Sequence, residues 1–89
     1  MRIINFSSKF NNTLKKISRS KPEKIPGIIQ KLLLFNTNIN HPSLKLHKLS
    51  GNLSSHWAIS IEADLRIIFR YTEDGNILLV EIGSHDEVY

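Results

Sequence analysis

Trp57-Ala58-Ile59-Ser60-Ile61-Glu62 and Leu65-Arg66-Ile67-Ile68-Phe69-Arg70-Tyr71 decide the fold. Both runs alternate with a period of two, the spacing that sends successive side chains to opposite faces of a sheet. Trp57, Ile59 and Ile61 share one face, with Ala58, Ser60 and Glu62 on the other. Leu65, Ile67, Phe69 and Tyr71 likewise oppose Arg66, Ile68 and Arg70. Glu73-Asp74-Gly75-Asn76 then has the composition of a tight hairpin turn. Residues 77–82 are apolar on both faces apart from Glu81, which predicts a central, covered strand.

Working back towards the N-terminus, residues 2–6 read as a short strand. Ser7 or Ser8 can cap a helix whose Phe10, Leu14 and Ile17 fall at i, i+4 and i+7. Ser18-Arg19-Ser20-Lys21-Pro22 breaks that helix. Ile25, Ile28, Ile29, Leu32 and Leu33 then repeat at helical spacing up to about Asn36. Pro26 fits a first helical turn, so the second helix is expected to begin there rather than at Pro22. Residues 36–42 are a loop by composition. The expected fold is α+β: two N-terminal helices packed on one face of a small, mainly antiparallel four-stranded sheet. Arg66 and Ser60 would point to the other face, which makes it the candidate site.

At 89 residues the chain is expected to be a single domain, 1–89. No apolar run approaches the ~20 residues of a membrane span, and the start is too short in its apolar part for a signal peptide. The absence of cysteine excludes disulfides and thiolate metal sites, and fits a cytoplasmic protein. Charge is segregated. Residues 1–56 carry ten Lys and Arg against Glu23 alone, a balance of +9, whereas residues 57–89 carry two arginines and seven acids, a balance of −5. A basic half beside a site suits a polyanion, because each neutralised phosphate releases condensed counterions. Lysines also keep amphipathic helices soluble, so charge alone leaves both readings open.

Metal-free RNA cleavage needs a group to deprotonate the 2′-hydroxyl, one to protonate the leaving 5′-oxygen, and positive charge on the phosphorane. Histidine suits both proton roles, and the planar fork of arginine suits the phosphate. His47, Asp64, Arg66 and His85 supply such a set, and Tyr89 adds a hydroxyl. Plainer roles exist for each. Asp64 can satisfy turn amides, Arg66 can pair with Glu62 or Glu81, and single histidines are often surface or capped residues. His41 reads as a loop residue. No pair of the four histidines has the helical His-x-x-x-His spacing, so no metal and no cofactor is expected.

The order His47-Lys48-Leu49-Ser50-Gly51, Asp64, Arg66-Ile67-Ile68-Phe69-Arg70, Gly83-Ser84-His85 and Asp86-Glu87-Val88-Tyr89 resembles the bacterial RelE/YafQ superfamily of toxin–antitoxin ribonucleases. The resemblance is strongest over residues 44–89. It implies a ribosome-dependent endoribonuclease toxin that cleaves mRNA in the 70S ribosome and forms a hetero-oligomer with a cognate antitoxin. By the resemblance His85 is the general acid, His47 and Asp64 provide the general base or its orientation, and Arg66 holds the scissile phosphate with Tyr89. Lys45 and Lys48 would hold the RNA backbone, with His56 and Arg70 as further RNA contacts. The sequence departs from the pattern at Ser60, where some YafQ-like proteins carry a histidine. It also ends at Tyr89, without the further C-terminal helix of some RelE relatives. Two other readings follow from the same likeness: a ParE-like gyrase-binding toxin, and a catalytically degenerate antitoxin-binding relative.

Overall fold

Strand β1 (Ile4–Phe6) leads into helices α1 (Ser8–Ser20) and α2 (Ile25–Thr37), and a short β2 (His47–Lys48) follows. Strands β3 (Trp57–Glu62), β4 (Leu65–Tyr71) and β5 (Ile77–Gly83) then run to a single-turn helix α3 (His85–Val88). This computed structural model describes residues 3–88, without the side chains of His85 and Asp86. Arg2, the expected start of the first strand, lies outside the described residues.

The sheet has five strands in the order β1-β5-β4-β3-β2. β1 runs parallel to β5, and every other pair is antiparallel. The sequence expectation of four strands therefore needs correction: β2 is a fifth. Two residues are too few to show a side-chain period, and β2 exists because His47 and Lys48 pair with Ala58 and Trp57. β5 sits between β1 and β4, which accounts for its apolar residues on both faces.

Local chemistry sets each helix. The Ser7 hydroxyl accepts from the Phe10 amide at 3.0 Å, capping α1, and donates to the Val80 carbonyl at 2.8 Å, tying that cap to β5. α1 stops at a 3₁₀ turn, Pro22–Lys24, and α2 opens at Ile25 with Pro26 in its first turn. Phe10 on α1 and Ile28 and Phe35 on α2 are buried against Ile59, Ile67, Phe69 and Leu79 of the sheet. Phe35 meets Phe69 edge-to-face with ring centroids 4.9 Å apart.

A β-bulge lets β5 serve this core along its whole length. Ile68 lies opposite Glu81 and Phe69 opposite Leu79, so Val80 is the extra residue. Ile77, Leu79 and Ile82 thereby all join the helix-side core despite the odd spacing between Leu79 and Ile82. On the opposite face Ala58, Ile68 and Val88 form a second, smaller buried cluster with Leu49 against it. α3 thus folds back over the face left open by α1 and α2. The sequence reading assigned no helix to this segment, and α3 is this one turn.

Candidate active site

Strand register assembles the site face. Ser60 lies opposite Arg66, and Arg66 lies opposite Gly83, the last residue of β5. One row further along, His47 lies opposite Ala58, which lies opposite Ile68. Residues directly opposite across antiparallel strands share a face, so His47, Ser60 and Arg66 look out on the same side, away from α1 and α2. Two strand spacings and two residues of rise separate His47 from Arg66, on the order of 12 Å between backbones. Side chains of their length can meet a single phosphodiester across that gap. Arg66 and Ser60 are half-buried and His47 is exposed.

α3 closes one side of this patch. It begins two residues beyond Gly83, beside the Arg66 row, and its far end plants Val88 on Ala58, Ile68 and Leu49. The backbone of His85 therefore starts next to Arg66. Ser84 and Glu87 hold the turn as a capping box: the Ser84 amide donates to Glu87 Oε1 at 2.9 Å, and the Glu87 amide donates to Ser84 Oγ at 3.3 Å. Gly83 leaves room for α3 to pack closely: an added Cβ would sit 3.0 Å from Val88 Cγ1 and 3.2 Å from Glu87 Cβ, so those side chains would have to give by a few tenths of an ångström. The sequence reading overlooked Ser84, Glu87 and Val88. The Ser-x-x-Glu spacing followed by an apolar residue was the available signal.

The bond from the Ser84 amide, then that from its hydroxyl, holds the Glu87 carboxyl below its ordinary value of 4.5, helped by the charge of Lys21 and opposed by desolvation. A depressed native pKa means that the unfolded turn binds the proton more tightly. The contribution of the box is therefore present above the ordinary value and lost as pH falls through the lower native one. The Val88 methyl resonances are expected to shift towards undocked values on acidification below about pH 4.5. Glu87→Gln should flatten that titration.

The remaining candidates separate into two groups. Asp64 is exposed in the β3–β4 turn, beyond the Glu62–Leu65 pair. At about 3.3 Å per residue, the run from Ala58 to Glu62 puts that turn on the order of 13 Å along the sheet from the His47 row. Asp64 thus flanks Arg66 and is not brought to His47, whose Nδ1 lies 3.0 Å from the Lys45 carbonyl instead. Nor does Arg66 pair with Glu62 or Glu81. Lys24 holds Glu62 at 3.1 Å and Lys9 holds Glu81 at 3.0 Å. The hydroxyl of Tyr89 lies outside the described residues.

At the other end of the face, Arg70 follows Ile68 by two residues on β4, and His56 immediately precedes β3. The His56 ring lies 3.2 Å from Ser55 Oγ, and its carbonyl accepts from the Leu49 amide. Lys45 is exposed in a left-handed turn with φ 49°. Lys48 lies opposite Trp57, on the helix-side row, but joins His47, Leu49, Ser50 and Leu53 around an open pocket of about 340 Å³ at the sheet edge. His41 is a structural cap, its Nδ1 accepting from the Ser43 amide at 3.2 Å.

A sequence profile described as the bacterial toxin of type II toxin–antitoxin systems, YafQ, matches residues 2–89. The chain belongs to the YafQ family of type II toxins. No curated protein sequence matches it. Among solved structures it is similar to YafQ from E. coli strain BL21(DE3), at 20% identity and a TM-score of 0.75, covering 100% of this chain and 99% of that one. It is also similar to YafQ in the E. coli DinJ–YafQ complex, at 21% identity and a TM-score of 0.73, with 100% and 99% covered. A YoeB/ParE toxin from Agrobacterium tumefaciens superposes with a TM-score of 0.77 at 14% identity, covering 96% of this chain and 99% of that one. The YafQ family thus extends over nearly the whole chain. Among the described residues no helix is long and apolar enough to cross a membrane.

Proposed function

We propose that this type II toxin is a ribosome-dependent endoribonuclease. It cleaves mRNA by metal-free acid–base transesterification, leaving a 2′,3′-cyclic phosphate and a 5′-hydroxyl. The observation that carries the reading is the strand register that gathers Ser60, Arg66, His47 and the start of α3 on one open face. Arg66 would hold the non-bridging oxygens of the scissile phosphate. His85, at the head of α3, would protonate the leaving 5′-oxygen, and His47 would take the proton of the attacking 2′-hydroxyl. Asp64, in the turn beside Arg66, serves this reading as a flanking carboxylate rather than as the partner of His47. Tyr89 would add its hydroxyl. His56 and Arg70 lie towards the far end of this face, with Lys45 and Lys48 at the β2 edge of the sheet, where the flanking RNA backbone would run. Ser60, lying between the Arg66 and His47 positions, can donate to a phosphate oxygen but, unlike a histidine, has no pKa near neutrality with which to act as a general acid or base.

A type II toxin is silenced by a protein, and the DinJ–YafQ complex shows such a pairing for E. coli YafQ. A cognate antitoxin is accordingly the protein partner of this chain, in a hetero-oligomer. A translating ribosome as the place of cleavage would make the cytoplasm its compartment.

The test is primer extension on a reporter message in a reconstituted translation system. Parallel reactions omit ribosomes or use His85→Ala. Cuts that need both translating ribosomes and His85 support the reading. An intact message with stalled gyrase in a supercoiling assay would overturn it in favour of a ParE-like poison.

A further inference from the structure

The sheet face turned away from α1 and α2 carries a small apolar cluster in the middle of the candidate site. Ala58 of β3 and Ile68 of β4 lie opposite one another and are buried, although neither long helix covers them. Their cover is Val88 of α3, only 6% exposed, with Leu49 packed against the same cluster. The Leu49 amide donates to the His56 carbonyl at 3.0 Å, which carries the β2–β3 ladder one residue beyond Lys48. Leu49 therefore shares a sheet face with His47, two residues before it.

Each of these two covering residues is chained to one of the proposed proton-transfer groups. Leu49 follows His47 by two positions, and Val88 follows His85 by three. Neither segment holds its place unaided. α3 has four residues, far below the ~12–15 at which an isolated helix becomes even marginal. β2 has two. The Ser84 carbonyl accepts from both the Glu87 and the Val88 amides at 3.1 Å, which closes the turn but attaches it to nothing else. The attachment is Val88, packed where Gly83 leaves room for its Cγ1. The helix-side core around Phe10, Ile28, Phe35 and Phe69 shares no member with this cluster.

We infer that Val88 and Leu49 are positioning residues, a clasp that fixes the head of α3 against β2 and so sets the placement of His85 relative to His47. The inference rests on the nuclease reading above. In that reaction the 2′-oxygen bonds to phosphorus as the 5′-oxygen leaves, His47 gaining the first proton and His85 giving up the second. Both transfers depend on placement, and an error of about 1 Å costs about 10²-fold in rate. Neither Val88 nor Leu49 needs to touch the RNA. Each acts through the backbone it anchors, and one shared cluster makes the two segments move as a unit.

The experiment compares Val88→Ala, Leu49→Ala and the double change in the full chain. It uses ¹⁵N–¹H spectra of the free protein and single-turnover cleavage on programmed ribosomes. In the free protein Val88→Ala should move the amides of residues 83–88 and of 47–49, and leave those of α1, α2 and β1 at parent positions. Cleavage should slow by about 10²-fold at saturating ribosomes, with the half-saturating ribosome concentration unchanged. Leu49→Ala should slow it likewise, and the double variant should fall no further than the slower single one, since one clasp is broken only once. Val88→Ile, which keeps a branched apolar side chain, should restore most of the rate. A parent-like rate for Val88→Ala would overturn the inference, as would amide changes confined to α3. So would a double variant slowed by the product of the single effects, or a melting temperature that falls in step with the rate across all variants. The spectra contain no RNA. A parent chain that leaves message intact, with the amide changes as stated, would therefore defeat the nuclease reading while the clasp itself stands.

Discussion

Arg66→Ala is expected to lower the rate of message cleavage by about 10²–10³-fold, the usual loss when one preorganised donor to a developing oxyanion is removed. The expectation follows from its place. Arg66 is half-buried between Ser60 and Gly83, on the face where α3 begins, and the sheet fixes its backbone through pairs on both sides. A guanidinium held there spends little of its reach on finding the phosphate. Arg66→Lys should recover part of the rate, because an ammonium keeps the charge but loses the two-pronged geometry. Single-turnover cleavage on programmed ribosomes reads this directly, with melting temperature and antitoxin binding as controls that should not move. A variant as fast as the parent would remove Arg66 from the chemistry and return it to a role in solubility.

Phe69→Ala is expected to cost about 3–5 kcal/mol, the range for emptying a buried aromatic position. Phe69 is fully buried in the middle of β4, and its ring meets both Phe35 of α2 at 4.9 Å and Tyr71 at 5.7 Å. It is thus a joint between the helix layer and the sheet. Against a total stability of about 5–15 kcal/mol, such a loss leaves a marginal domain. Urea denaturation should show it, accompanied by a fall of more than about 10 °C in melting temperature for a chain of this size. Phe69→Leu, which keeps most of the volume, should lose much less. A midpoint for Phe69→Ala close to the parent's would mean that α2 packs on the sheet without this joint.

The strands β3 and β4 were legible to the residue because their two-residue period is strong and both faces are chemically distinct. The central place of β5 was legible for the opposite reason, its apolar residues on both faces. What escaped was set by contacts rather than by period. β2 is two residues long and owes its existence to backbone pairing with β3. α3 is one turn, specified by the Ser84–Glu87 box and by a single apolar residue, Val88, that packs with Ala58 and Ile68. At the site, the shared face of Ser60 and Arg66 could be read from alternation. Their juxtaposition with His47 could not, because it depends on β2. The separation of Asp64 from His47 was equally invisible, since strand ends look close in a sequence until the register is known. The helical repeat in α2 was read correctly, but the repeat does not say which of its apolar residues face the core. Ile29 and Leu33 do not.

The most direct test of the account is the chemistry of the cut ends. Message cleaved on translating ribosomes by the purified chain would be isolated and its fragments weighed by mass spectrometry. The account predicts a 2′,3′-cyclic phosphate on the upstream fragment and a 5′-hydroxyl on the downstream one, with no cut where a 2′-deoxynucleotide precedes the scissile phosphate. A 3′-hydroxyl with a 5′-phosphate, or cleavage that tolerates the 2′-deoxy substitution, would contradict it.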